Sequence, residues 1–314
     1  MNNNINFKNL EILKTFDENS LPDLDIVTLG ALELFQQNKP EKIDLSKHKK
    51  PLVIGSGNAI TTAKILFENK NAIFANESDY KNKLDLDIDS VYIFSASGGK
   101  HAPILAKAAK QKDLPTYLIT CTKNSQGEEI IGSENTTVTK KNREPYTYNT
   151  STYLGWVLAK TGENPTEIID YIENTIKPLI PNNFNKYNGF LFVTPDFCLN
   201  LNRLFEVKFI ELFGRKIAKD VQSKEELKHA ITVVPSETEL CINFSGDKNI
   251  DYVGDRLDIN LSQGLGQASV MAIVYYIIGQ IQKQNHPYFK EHIKEYIQRN
   301  AKGDFGKSIS TIVE

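Results

Sequence analysis

Residues 91–110 read VYIFSASGGKHAPILAKAAK. Four apolar residues run into two hydroxyls and two glycines, and an alanine-rich segment follows at once. A continuous apolar run is the mark of a strand buried on both faces, and the Ala-rich segment has helical spacing. The junction between them has two readings. It is either a serine-capped strand-to-helix turn or an anion site, in which small residues let a phosphate reach backbone N–H groups at a helix start.

The same strand-to-helix pattern recurs on both sides of this stretch. PLVIGSG (51–57) is a strand ended by glycines, and AITTAKILFEN follows as a helix. NAIFANE, PTYLITCT and TTVTKK read as further strands, and STYLGWVLAKTG as a helix stopped by Gly162. A leading helix covers residues 21–37. Buried strands alternating with helices predict a doubly wound α/β sheet. PTEIIDYIENTIKPLI is then a helix, and the Pro- and Asn-rich PLIPNNFNKYNG marks a boundary near residue 180.

After that boundary the order of elements restarts. GFLFVTPD is a strand, LNLNRLFEVKFIELFG a helix, KIAKDVQ a short strand and SKEELKHA a helical turn. ELCINFSG and RLDINLS are strands, and GQASVMAIVYYIIGQIQKQ is a long helix. The expectation is therefore α/β with two doubly wound, flavodoxin-like parallel-sheet domains, residues 1–180 and 181–314. Ligands in such sheets bind beyond the carboxyl ends of the strands.

The chain has 314 residues, 40% hydrophobic and 24% charged, with a net charge of −2. That balance gives no basis for nucleic-acid or membrane-surface binding. No apolar run is long enough for a membrane span, and MNNNINFKNL has no signal-peptide core. Cys121, Cys198 and Cys241 are far apart and flanked by apolar residues, so they read as core residues in a reducing compartment. The expected location is the cytoplasm.

Three segments together resemble the sugar isomerase (SIS) family, in which two such α/β units form one subunit. They are the FSASGG turn, the run FEVKFIELFGRKIAKDVQSKEELKHA (205–230) and the tail FGKSISTIVE (305–314). The second is similar to the family's Lys-x-x-Glu helix followed by Glu-Leu-Lys-His. The third looks like the Lys-Ser-Val-Thr-Val-Glu tail of the isomerase half of glucosamine-6-phosphate synthase. No glutaminase domain precedes these segments, so amide-nitrogen transfer from glutamine is not expected. The resemblance covers roughly residues 25–314.

The resemblance implies phosphosugar aldose–ketose isomerisation, with or without amine release, on a hexose or hexosamine 6-phosphate. Ser95, Ser97, Gly98 and Gly99 would hold the phosphate, with Ser56 beside them; Lys100, a departure from the family pattern, would add a positive charge that offsets lost hydroxyls. Glu211 would be the base that moves a proton between C1 and C2. His229 would assist ring opening, with Lys228 next to it, and would serve a neighbouring subunit, so a homodimer is implied. Lys307 matches the tail lysine that forms a Schiff base in the aminating relative. No metal or cofactor is required, because a carboxylate alone can shuttle the proton.

Read without the resemblance, these residues have plainer roles. Glu211 pairs on a helix surface with Lys208 or Arg215. His229 lies at the end of a charged, solvent-facing stretch, and Lys307 is an exposed tail lysine. His101 follows the serine turn and either meets a ligand there or sits on the first helical turn's surface. The tail SISTIVE alternates apolar and polar residues, which suits an extended segment over a cleft.

Two departures separate this chain from the family pattern. GSGNA places Asn58 and Ala59 where hydroxyls are usual, and SGGKHA places Lys100 and Ala102 where a threonine and an acid are usual. The competing reading is a non-catalytic phosphosugar-binding regulatory protein. A dinucleotide or P-loop enzyme is disfavoured, since neither motif occurs.

Overall fold

The computed structural model describes residues 7–230, 232–301 and 309–314. Two leading helices, α1 (Lys8–Thr15) and α2 (Leu24–Gln37), precede a first run of strands. Strands β1 (Pro51–Gly55), β2 (Ile73–Ala75), β3 (Ser90–Phe94), β4 (Thr116–Thr120) and β5 (Thr136–Val138) alternate with helices α3 (Asn58–Leu66), α4 (Tyr80–Lys83), α5 (Ala102–Lys110) and α6 (Gln126–Ile131). They form a parallel sheet in the order β2-β1-β3-β4-β5. β1 and β3 are buried throughout, as their continuous apolar runs require.

A short strand β6 (Glu144–Pro145) and helices α7 (Thr150–Thr161) and α8 (Pro165–Tyr171) lead to the second half. There β7 (Gly189–Thr194), α9 (Asn202–Phe213), β8 (Ala218–Ser223), α10 (Lys224–His229), β9 (Glu239–Asn243) and β10 (Asp255–Asp258) follow in turn. Their parallel sheet has the order β10-β9-β7-β8. Each sheet thus flanks its first strand by its second and third, so the repeat of element order is also a repeat of topology. Helices α11 (Gln267–Gln284) and α12 (Tyr288–Arg299) follow, and β11 (Ile312–Val313) pairs antiparallel with β6.

The two sheets share apolar packing. One hydrophobic cluster runs from Leu13 and Phe35 through Phe94 and Trp156 to Phe192, Phe209 and Tyr275. Helix α11 is apolar nearly all round and is buried along most of its length, as such a helix must be. It lies so close to α2 that a Cβ at Gly279 would strike the Asp25 backbone. Cys198 and Cys241 are buried, and the Cys121 Sγ lies 3.2 Å from Thr139 Oγ1.

Two local features differ from the sequence reading. The helix starting at Pro165 is α-helical only to Tyr171. It then widens to a π turn (172–176) and tightens to a 3₁₀ turn (177–179), where Pro178 has no N–H to continue the ladder. Helix α12 was not anticipated, although Phe289, Ile293 and Ile297 stand at helical spacing. Among the described residues no helix is long and apolar enough to cross a membrane.

Candidate active site

The order of the first sheet places β1 and β3 side by side while the chain continues outward from each in opposite directions. Their carboxyl ends therefore open a crevice, the usual ligand position in such sheets. From β1 the chain turns through Ser56 and Gly57, the latter at φ +50°, into α3. From β3 it turns through residues 95–101 into α5. In that second turn Ser95 Oγ accepts from the Gly98 N–H at 3.2 Å, and Ser97 Oγ accepts from the Gly99 N–H at 3.3 Å. Both hydroxyl protons stay available to an anion. Gly98 sits at φ +58° and a Cβ there would run into Ser125 Oγ, so only glycine fits.

A second wall comes from the loop between β6 and α7. Thr147 adopts φ +73° and Asn149 φ +44°. Left-handed backbone is costly for a β-branched residue, and such strain gathers where a site is held in shape. The loop is tied down at three points. The Tyr146 N–H donates to the Thr311 carbonyl, and Lys208 Nζ donates to the carbonyls of Thr147 and Tyr148. Just before the loop, the buried Glu144 accepts from the Thr150 and Ser151 N–H groups at 2.6 and 2.7 Å.

Helix α9 supplies the third wall. Arg203, Val207 and Glu211 recur every four residues and so share one face, spanning about 12 Å along the axis. One oxygen of Glu211 accepts from Lys208 Nζ at 2.7 Å, and Lys208 itself is fully buried. The other oxygen has no hydrogen bond among the described residues. Burial pushes the Glu211 carboxyl above the usual range, and the Lys208 ammonium partly offsets it. A carboxylate anchored by one oxygen, with the other open and its basicity raised, is what proton abstraction needs.

The C-terminal strand closes the site. β11 pairs with β6, and Glu314 is held by Arg143, at 3.3 Å, and by Lys141. These walls enclose a cavity of about 740 Å³. Ser56, Ser95, Ser97, Gly99, Lys100 and Glu211 all line it. His101 lines it too, with Nε2 3.4 Å from Glu77. Ile309, Ser310, Ile312, Val313 and Glu314 also line it, so this part of the tail does lie extended over the cleft.

Other expected residues lie elsewhere. Gly98 shapes the turn from behind and is not part of the lining. Lys228 and His229 are exposed at the end of α10, away from this cavity. Lys307 lies outside the described residues. Sequence reasoning did not single out Arg203, Tyr146, Thr147, Asn149 or Tyr153, all of which line the cavity. The Arg203 to Glu211 spacing was readable, but the loop's contribution depends on long-range contacts. Among the described residues no group of three or more His, Cys, Asp or Glu could hold a metal ion.

Comparison with solved structures reproduces this architecture. A glucosamine-6-phosphate deaminase from Thermotoga maritima superposes with a TM-score of 0.60 at 16% identity, over 84% of this chain and 95% of that one. This chain has the sugar isomerase fold. The C-terminal domain of glucosamine-fructose-6-phosphate aminotransferase from Francisella tularensis gives 0.59 at 13% identity, over 85% and 97%. The tagatose-6-phosphate ketose/aldose isomerase from Escherichia coli gives 0.58 at 15%, over 83% and 88%. No family model and no curated protein matches the sequence. In this sugar isomerase fold the crevice at β1 and β3 is the one that carries Ser95, Ser97 and Lys100.

Proposed function

We propose that the protein is a phosphosugar aldose–ketose isomerase acting on a hexose or hexosamine 6-phosphate in the cytoplasm. The observation that carries this reading is that Glu211 and the Ser95–Lys100 turn line one cavity. The turn binds the phosphate through the Ser95 and Ser97 hydroxyls and the Lys100 ammonium, with Ser56 beside them. Lys100 supplies charge where Asn58 and Ala59 offer no hydroxyl. Glu211 takes the proton from one carbon of the C1–C2 pair and returns it to the other. The named substrates of the similar solved structures, tagatose 6-phosphate and glucosamine 6-phosphate, fit this class.

His229 acts in ring opening from a second copy of the chain. Its exposure supports that role, and so do Val233 and Val234 just beyond it, which are 85% and 77% exposed. Adjacent valines this open to water are candidates for cover by a partner. The position of His229 outside its own cavity also favours a second reading, a phosphosugar-binding regulatory protein with no turnover.

A thermal-shift series with hexose and hexosamine 6-phosphates, against their unphosphorylated parents, tests the ligand class. A ligand that binds only the folded state raises the melting temperature by mass action. A rise for a phosphosugar and none for its parent is expected. No rise with any phosphosugar overturns the assignment. Turnover assays with the responding sugar separate the isomerase from the regulatory reading.

A further inference from the structure

We propose that the Tyr153 hydroxyl is a catalytic hydrogen-bond donor to the sugar's C1 or C2 oxygen, an inference that rests on the isomerase reading above. Removing a proton from carbon beside a carbonyl drives an electron pair onto the carbonyl oxygen. That developing charge needs a donor close to the base. Lys208 and the first amides of α7 are already committed to other acceptors. Lys208 gives its protons to Glu211, the Tyr148 carbonyl and the Thr147 carbonyl, so it has none left. The first amides of α7, those of Thr150 and Ser151, go to the Glu144 carboxylate.

Tyr153 remains. It stands on the first turn of α7, lines the cavity and is only 6% exposed. Its hydroxyl has no hydrogen-bond partner among the described residues. Yet it is absent from the sealed, unpartnered oxygens, a set that does include the hydroxyls of Tyr92 and Tyr275. The Tyr153 oxygen therefore keeps some accessible surface, and the residue lines the cavity. Of the charged groups around the phenol, Glu211 acts on it most strongly. Burial holds the phenol well above its ordinary titration range, so it stays a neutral donor at working pH. Its ring is fixed edge-on to Trp156, with centroids 5.6 Å apart, which positions the hydroxyl.

The step balances without any added reactant. Glu211 takes the proton from the carbon next to the carbonyl, and that C–H pair becomes the C=C bond of an enediolate. The carbonyl π pair moves to oxygen, where the Tyr153 O–H donates to it. Glu211 then returns the proton to the neighbouring carbon. The O–H bond of the former hydroxyl breaks as its pair forms the new C=O, and that proton passes to the former carbonyl oxygen, which becomes the hydroxyl.

Tyr153→Phe keeps the ring and removes only the hydroxyl. Two measurements on the full-length variant test the proposal. The first is steady-state isomerisation of the phosphosugar that the wild type turns over. The expected result is a fall in kcat of about 10²-fold, the size of losing one oxyanion donor. KM should move by no more than about threefold and the melting temperature should hold. The second is calorimetric affinity for a phosphorylated sugar hydroxamate, which mimics the enediolate, against the matching sugar-alcohol phosphate. The variant should lose about tenfold or more on the hydroxamate only. If the wild type turns over its sugar and the variant keeps its full rate and hydroxamate affinity, Tyr153 is not the donor and the isomerase reading stands. If the wild type turns over no phosphosugar and does not prefer the hydroxamate, the isomerase reading fails and this proposal falls with it.

Discussion

Lys208 Nζ lies 2.7 Å from Glu211 Oε2, three residues along α9, with the lysine fully buried and the carboxylate facing the cavity. The pair satisfies two readings at once. It is the i,i+3 ion pair that helix spacing allows, and under the proposed function it anchors the base. Removing one partner of a buried pair leaves an uncompensated charge, which costs on the order of 3–5 kcal/mol. Lys208→Met should therefore lower stability by about that amount in denaturant titration. Lys208→Arg should keep more of it.

The pH dependence follows from the raised Glu211 carboxyl. The base works only when deprotonated, so kcat/KM should fall as pH drops through the folded-state value. Because burial raises that value, the acid limb should lie at higher pH than an ordinary glutamate allows. A pH–rate profile in the free-enzyme regime measures it. The sign for stability is opposite. The folded state holds the proton more tightly than the unfolded chain, so this contribution is present at low pH and lost as pH rises through the raised value.

Lys100 stands in the turn between β3 and α5, where the proposed function puts the phosphate, and lines the cavity. Hydrogen bonds to charged groups are worth about 1.5–3 kcal/mol. Lys100→Ala should weaken phosphosugar binding by at least tenfold and leave the melting temperature almost unchanged. Raising ionic strength should weaken wild-type binding more than that of the variant.

Gly98 stands in left-handed backbone against Ser125 Oγ. Gly98→Ala puts a Cβ into both a disfavoured φ and an occupied space. A loss of about 1–3 kcal/mol is expected, together with weaker phosphosugar binding, since the turn of Ser95 and Ser97 is built on that residue. Calorimetric unfolding and a ligand titration on the same sample read both effects.

The tail is a separable part of the site. Removing residues 309–314 deletes β11 and the wall formed by Ile309, Ser310 and Ile312 to Glu314. The fold loses a two-residue strand pairing, the Thr311 carbonyl that holds the Tyr146 N–H and the Glu314 contacts with Arg143 and Lys141, so the melting temperature should fall by a few degrees. KM should rise about tenfold or more, because one side of the cavity opens to water.

Much of the fold was readable because buried strands and helices carry distinct periods. PLVIG, VYIF and GFLFV could be placed from their apolar runs alone, and all became fully buried strands. The serine turn was readable because strand, small residues and helix follow without a gap. That Glu211 lines the cavity was suggested only by the family resemblance, since a glutamate three residues from a lysine usually marks a surface pair. Tyr153, Thr147 and Asn149 were not legible. The loop that carries Thr147 and Asn149 and leads into Tyr153 is held by Lys208 and by the Thr311 carbonyl, 61 and 165 residues from their partners along the chain, and no local pattern encodes such contacts.

The most direct test of the central claim is isomerisation by Glu211→Gln, using the phosphosugar that shifts the melting temperature of the wild type. Proton exchange into C1 or C2 should be followed in deuterated water. The account predicts that the variant keeps the phosphosugar-dependent thermal shift. It also predicts that turnover and deuterium incorporation both fall by about 10²–10⁴-fold, the range of a general base. A variant that isomerises the sugar at the wild-type rate would contradict it.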